Sequence, residues 1–188
     1  MITIEHGYIR FSEADDAPFV RHLYLDKPKR AALLDTRREP VMPTVQEVRE
    51  LLARKDAAHG LMYTVEDNTG ALKGWCSLRG VNYEASYGEL MFLFASEKDY
   101  DGALADETLE YLLGRAFRQF KLYKALVLCL DVEQALAGFL EGKGFSRAGA
   151  QRQALFSGGA WHDLYIYTLR ASDYEGQKKE QAAGAISS

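Results

Sequence analysis

The chain has 188 residues, 47% hydrophobic and 27% charged, which fits one globular domain with a full apolar core. A net charge of −4, from 23 basic and 27 acidic residues, excludes a general nucleic-acid binder, which needs a basic footprint. No apolar run approaches the length of a membrane span, and the start Met1-Ile-Thr-Ile-Glu-His6 lacks the pattern of a signal peptide. A cytoplasmic protein with no membrane or nucleic-acid partner is expected. Two cysteines, Cys76 and Cys129, cannot build a disulfide framework or a four-ligand zinc site. Both sit in apolar runs and read as core thiols, and no metal is expected.

In chain order, Tyr8–Phe11 reads as a short strand. Ser12-Glu-Ala-Asp-Asp16 supplies helix-capping residues. Ala17, Val20, Leu23 and Tyr24 then recur at helical spacing to about Asp26. A second helical piece covers about Lys29–Thr36, and Pro40 and Pro43 break the chain. Thr44-Val-Gln-Glu47 is a capping-box pattern, opening a helix to about Lys55. Leu61–Glu66 and Ala71–Leu78 read as a hairpin around Asp67-Asn-Thr-Gly70. Tyr87–Ala95 is a third strand, with Leu90, Phe92 and Phe94 on one side and Glu89, Met91 and Leu93 on the other. Gly102–Phe120 carries the strongest helical pattern. Ala125–Leu130 is a buried strand, and Val132–Gly142 a short helix that Gly142 or Gly144 can end. Phe145–Leu155 and Leu164–Leu169 form a last hairpin joined at Ser157-Gly-Gly-Ala160. The predicted domain covers 1–173. Residues 174–188 are, apart from Tyr174 and Ile186, Gln, Lys, Glu, Ala, Gly and Ser with almost nothing to bury, and read as a disordered tail. The expected class is α/β, a mixed and mostly antiparallel sheet flanked by helices.

Three stretches carry a resemblance. One is the strand–loop–helix Leu90–Leu109. The second is Leu130-Asp131 and Glu133, running through a helix to Gly144-Phe145. The third is the C-terminal hairpin, with Gly149, Arg152, Gly159, Trp161-His162-Asp163, Tyr167 and Leu169. Together they resemble the GNAT superfamily of acyl-CoA-dependent N-acetyltransferases, and within it the branch of ribosomal-protein and nucleotide-amino-sugar acetyltransferases. The similarity covers about Tyr8–Arg170. It implies a central sheet with two splayed strands, acetyl-CoA as co-substrate, and an amine acceptor. It also implies a cofactor site at Leu93, Phe94 and Ala95, at Asp101, Gly102, Ala103, Leu104 and Ala105, and at Glu133 and Phe139. The loop opening the best helix fits that role physically, because a helix N-terminus presents unpaired amides and positive dipole to a phosphate. The family's loop pattern is altered: Tyr100 stands where Gln or Arg is usual, and Ala103 replaces the first Gly. Glu133 stands where Asn is common. Leu140 stands where a proton-donating Tyr is common, and Phe139 beside it has no proton to give. Ser96–Glu107 also carries five acids against one base, a formal charge of −4.

N-acetylation needs a base for the amine and a donor for the oxyanion. Glu89, on the central strand, is the first candidate base, and a backbone amide near Leu93, Phe94 or Ala95 the oxyanion donor. His162 is a second candidate base, against a structural hairpin role. Arg152 is expected to meet Asp163. Tyr24, Arg30, Arg37, Arg38, Trp75, Arg79 and Tyr83 are candidate acceptor-site residues. The acceptor is a small amine, an amino sugar or a peptide N-terminus. Edge strands of this fold often pair, so a homodimer is allowed. Two other readings stay open: a catalytically degenerate ligand-binding or interaction module, and an enzyme whose acyl donor is a carrier protein.

Overall fold

The computed structural model describes residues 1–25, 30–34, 42–54 and 60–186. Eight strands form one sheet: β1 Ile2–Ile4, β2 Gly7–Phe11, β3 Leu61–Asp67, β4 Leu72–Asn82, β5 Tyr87–Phe94, β6 Lys124–Leu130, β7 Ser146–Ser157 and β8 Ala160–Arg170. Their spatial order is β1-β2-β3-β4-β5-β6-β8-β7. Every neighbouring pair is antiparallel except β5 and β6. Among the described residues five α-helices flank the sheet: α1 Ala17–Leu23, α2 Val45–Ala53, α3 Ala103–Leu113, α4 Gln134–Gly142 and α5 Ala171–Ile186.

The alternation read along β5 divides the core. Leu90, Phe92 and Phe94 pack on one face with Leu109, Leu112 and Leu113 of α3 and with Leu136 and Leu140 of α4. Met91 and Leu93 pack on the other face with Trp75 and with Val20, Leu23, Val48 and Leu52 of α1 and α2. The Thr44 capping box forms as expected: its hydroxyl accepts the Glu47 N–H, while the Glu47 carboxylate accepts the Thr44 N–H. Gly144, with φ of +83°, follows the end of α4 in the left-handed conformation that glycine adopts freely. The β7–β8 turn uses Gly158 and Gly159, both at positive φ, as a tight hairpin requires.

Several expectations need amendment. The first helix begins with a 3-10 turn at Ala14–Asp16, and α1 ends at Leu23. Of the second helical piece, the described residues show a 3-10 turn at Ala31–Leu33; the rest lies outside them. The long helix is α3 followed by a π-helical turn at Gly114–Gln119, which still buries Ala116 and Phe117. β1, three residues long, is too short to show a sequence period.

The reading of 174–188 as a disordered tail is corrected for the described part of that segment. Ala171–Ile186 is helical, and Tyr174 is only 3% exposed. Its ring lies 5.4 Å from that of Phe117. Its hydroxyl donates to Glu110 Oε2 at 2.9 Å and accepts from Arg118 at 2.7 Å. One aromatic anchor fixes a helix whose other residues are mostly polar.

Candidate active site

β5 and β6 pair over only three levels, Tyr87↔Lys124, Gly88↔Ala125 and Glu89↔Leu126. Beyond Glu89 they diverge. β5 stays on β4 up to Phe94, and β6 stays on β8 up to Leu130. The two strands therefore enclose a V, closed at Glu89 and open at Ala95. Backbone alternation decides which amides face into it. Ala95 donates its N–H to Lys73 O across the β4 edge at 2.9 Å, so Leu93 points to β4 as well. Phe92 and Phe94 present their amides to the V. Of the three expected oxyanion donors, Phe94 is thus the one oriented for the role.

The mouth of the V is a cleft lined by Arg30, Ala95, Glu97, Tyr100, Val132, Glu133, Ala135 and Leu136. Tyr100, 3% exposed, reaches into it from the 3-10 turn Glu97–Asp101, and its hydroxyl accepts the Phe94 N–H at 3.3 Å. Burial pushes the phenol up to about 12, against the pull of the Arg30 charge. Glu133 is 6% exposed. Its Oε2 accepts two backbone N–H groups, Leu130 at 2.8 Å and Ala31 at 2.9 Å. Its Oε1 is buried with no hydrogen-bond partner. Burial raises the Glu133 pKa above the ordinary carboxyl range, outweighing those two bonds and the nearby Arg30 charge. Phe139 stacks on Phe92 at 5.4 Å, with an angle of 15° between the rings, and lies 5.8 Å from Tyr100. It packs from α4 against the core beside Tyr100.

On the opposite face, Glu89 is ion-paired with Arg79 at 2.6 Å. Arg79 also donates to Ala32 O at 3.1 Å. The segment Arg30–Leu33 is buried and is tied to β4 through Arg79 and to the end of β6 through Glu133. Tyr24 lies 6.4 Å from Trp75 on this face, and the Trp75 indole N–H is buried without a partner. Tyr83 is 69% exposed on the β4–β5 turn, at the closed end. Arg37 and Arg38 lie outside the described residues. His162 is held on both ring nitrogens, by Asp131 Oδ1 at 2.9 Å and by Ser157 O at 3.2 Å. Asp163 accepts the Gln153 N–H at 2.8 Å, and no contact joins it to Arg152 among the described residues. The Trp-His-Asp run thus clamps β8 to the end of β6. Cys76 and Cys129 are buried, and burial raises the pKa of both thiols, so neither is a ready nucleophile.

The loop at 101–105 opens α3 with Gly102 as N-cap, and no side chain caps it. Gly102 and Ala105 have internal backbone partners, while Ala103 and Leu104 occupy the first two helical positions, whose amides have no acceptor within the helix. Ala103 is exposed and Gly102 half-buried, so an anion can approach. The Leu104 side chain packs towards Gly7 instead. Three of the five acids in this region have basic partners from elsewhere in the fold. Asp106 meets Lys143 at 2.7 Å, Glu107 meets His6 at 2.6 Å, and Asp99 meets Lys73 at 4.0 Å. These basic residues carry no local sequence signal, since each lies more than 20 positions from its partner.

A family model described as an acetyltransferase (GNAT) domain matches residues 9–166. The chain belongs to the GNAT acetyltransferase family. It is accordingly an acyl-CoA-dependent N-acetyltransferase. A Bacillus subtilis (strain 168) protein named "Putative ribosomal N-acetyltransferase YdaF" is 25% identical over 184 residues, covering 93% of this chain and 96% of that protein. Solved structures share the fold at lower identity. The Vibrio cholerae spermidine N-acetyltransferase in complex with CoA and spermine has a TM-score of 0.73 and 22% identity, covering 91% of this chain and 99% of that one. The spermidine/spermine enzyme from the same organism in complex with manganese ions has a TM-score of 0.71 and 21% identity, covering 92% and 96%. The amides of Phe92, Phe94, Ala103 and Leu104 are backbone donors of the kind from which carbonyl and phosphate oxygens accept, and such donors need no particular side chain.

Proposed function

We propose that this GNAT enzyme acetylates a primary amine of a small cationic molecule, an amino sugar or a peptide N-terminus, with acetyl-CoA as donor. The observation that carries this reading is the V between β5 and β6, with the Phe92 and Phe94 amides directed into it and an uncapped helix N-terminus beside its mouth. Phe94 N–H holds the thioester oxygen as it gains charge, once the Tyr100 hydroxyl yields that position. The amides of Ala103 and Leu104 bind the diphosphate. The acceptor enters over Trp75, Tyr24 and the Arg30–Leu33 segment. Glu89 is the base. It lies four residues from Leu93, about 13 Å along the strand, so it takes the amine proton through water, and Arg79 holds its carboxyl group in place. The exposed Phe156–Trp161 pair on the β7–β8 hairpin, at the edge of the sheet, supports pairing of two copies.

Thiol release from acetyl-CoA, followed with spermidine, glucosamine and a short peptide as acceptors, tests the proposal. Acceptor-dependent release with at least one amine is expected. Binding of CoA without release across the set would favour the degenerate module. Absence of CoA binding at millimolar concentration would remove the donor assignment.

A further inference from the structure

Aminolysis of a thioester expels a thiolate, and the α4 positions facing the core, Phe139 and Leu140, have no proton to give. The β5–β6 register shows what stands in the V instead. Glu89 is level with Leu126, so Leu93 is level with Leu130. Glu133 accepts the Leu130 N–H, so its carboxyl sits on the β6 lip, across the V from Leu93 and Phe94. Both backbone bonds fall on Oε2. An oxygen that accepts two N–H groups is a poor place for a proton, so the acid's proton resides on Oε1. That oxygen is buried and unpartnered, on a residue that lines the cleft.

We propose that Glu133 is the catalytic acid that protonates the departing CoA thiolate, an assignment that rests on the acetyl-CoA reading above. The amine nitrogen forms its bond to the thioester carbon, and the C–S bond breaks with its electron pair on sulfur. The Oε1 proton passes to that sulfur, leaving a free thiol and a Glu133 carboxylate. The amine's surplus proton, taken up on the Glu89 side, leaves through solvent, and Glu133 is reprotonated from solvent after the thiol departs. The groups facing Glu133 are consistent with this cycle. Arg30 and Tyr100 lie near it across the cleft, Glu97 is at the rim, and Cys129 is on β6. The Arg30 charge steadies the transient carboxylate, while the low exposure of the site favours return of the proton.

The test is a cycle of affinities in the full-length chain, with CoA and desulfo-CoA titrated calorimetrically into the wild type, Glu133→Gln and Tyr100→Phe. Glutamine keeps an oxygen for the two backbone N–H groups but has no proton to transfer. The wild type is expected to bind CoA about fivefold more tightly than desulfo-CoA, the worth of one hydrogen bond to sulfur. Glu133→Gln, whose amide can still donate a hydrogen bond to sulfur, should keep that ratio and the desulfo-CoA affinity within about twofold while acceptor-dependent thiol release falls about 10²-fold. Thiol release within twofold of the wild type, or an equal loss of affinity for both ligands, would overturn the assignment, the second outcome marking a purely structural role. Collapse of the ratio in Tyr100→Phe alone would move the role to the phenol. Should Glu133→Gln fail to fold, the wild-type ratio measured from pH 5 to 9 decides. It must change as the carboxyl loses its proton, and a flat ratio overturns the proposal. Failure of the wild type to bind either ligand would remove the acetyl-CoA reading and this proposal with it.

Discussion

Tyr174 offers a direct check on where the folded domain ends. Its side chain is 3% exposed, packs on Phe117 and bridges Glu110 and Arg118. A buried aromatic side chain withdraws roughly 150–250 Å² from water, worth about 4–6 kcal/mol as an upper bound. Neighbours relax partly around the space left behind, so Tyr174→Ala should cost about 3–4 kcal/mol. For a chain of this size that lowers Tm by roughly 6–15 °C. Tyr174→Phe keeps the ring and loses only the hydroxyl's two bonds, so about 1–2 kcal/mol is expected. A chain ending at residue 173 should behave like the alanine variant or worse, because it also loses the Lys178–Glu110 ion pair at 2.8 Å. Urea denaturation and thermal melts of the four proteins measure the series. Equal stability of the wild type and the chain ending at 173 would show that α5 contributes nothing. The ordering phenylalanine, alanine, truncation is what the contacts require.

Glu89→Gln should lower kcat about 10²-fold and leave the acetyl-CoA affinity within twofold, as steady-state rates and calorimetry would show; a kcat within twofold of wild type would remove Glu89 as the base. Asp16 is 4% exposed, and although burial raises its pKa, bonds from Arg10, the Glu13 N–H and Thr64 bring it below the ordinary carboxylate range. A depressed folded pKa gives stability that is present above the unfolded value near 3.9 and is lost as pH falls through the folded value. Asp16→Asn should therefore cost about 3 kcal/mol at pH 7, with the gap to wild type narrowing below pH 4; a gap in the urea midpoints that stays constant from pH 7 to 3 would refute the linkage.

Local chemistry made much of the fold legible. The Thr44–Glu47 box set the start of α2, and alternation along Leu90–Phe94 divided the two core faces. The π-helical turn after α3 was not legible, because its residues keep a helical spacing that a π turn also satisfies. Helix α5 was hidden for the opposite reason. Its residues have no apolar stripe, and one tyrosine supplies the packing. The site was legible only as a region. That Phe94, rather than Leu93 or Ala95, faces the V depends on hydrogen-bond parity with β4. The Glu133–Ala31 bond joins residues 102 apart in sequence. The ion pair holding Glu89 needs the register of β4 on β5, which the irregularity between Arg79 and Asn82 ends.

The acid excess at Ser96–Glu107 can now be weighed against the anion this loop would have to hold. A carboxylate near the start of a helix is favoured by the same positive dipole end that attracts phosphate, so Asp101 and Asp106 compete with a diphosphate for that field. The fold reduces the competition with charges drawn from three other elements. Lys143 beyond α4 engages Asp106, His6 in the β1–β2 turn engages Glu107, and Lys73 on β4 lies between Asp67 and Asp99. The Glu107 hydrogen bond raises the His6 pKa despite some desolvation, which holds that pair charged to higher pH. Among the described residues Glu97 and Asp101 have no ion-pair partner, and Glu97 lines the mouth of the V. Remaining negative charge is therefore concentrated at the entrance, where it opposes a polyanionic donor and attracts a protonated amine. Backbone amides can outweigh that repulsion only at close range, with water excluded. The loop offers small residues for such an approach, Gly102 and Ala103, rather than basic side chains.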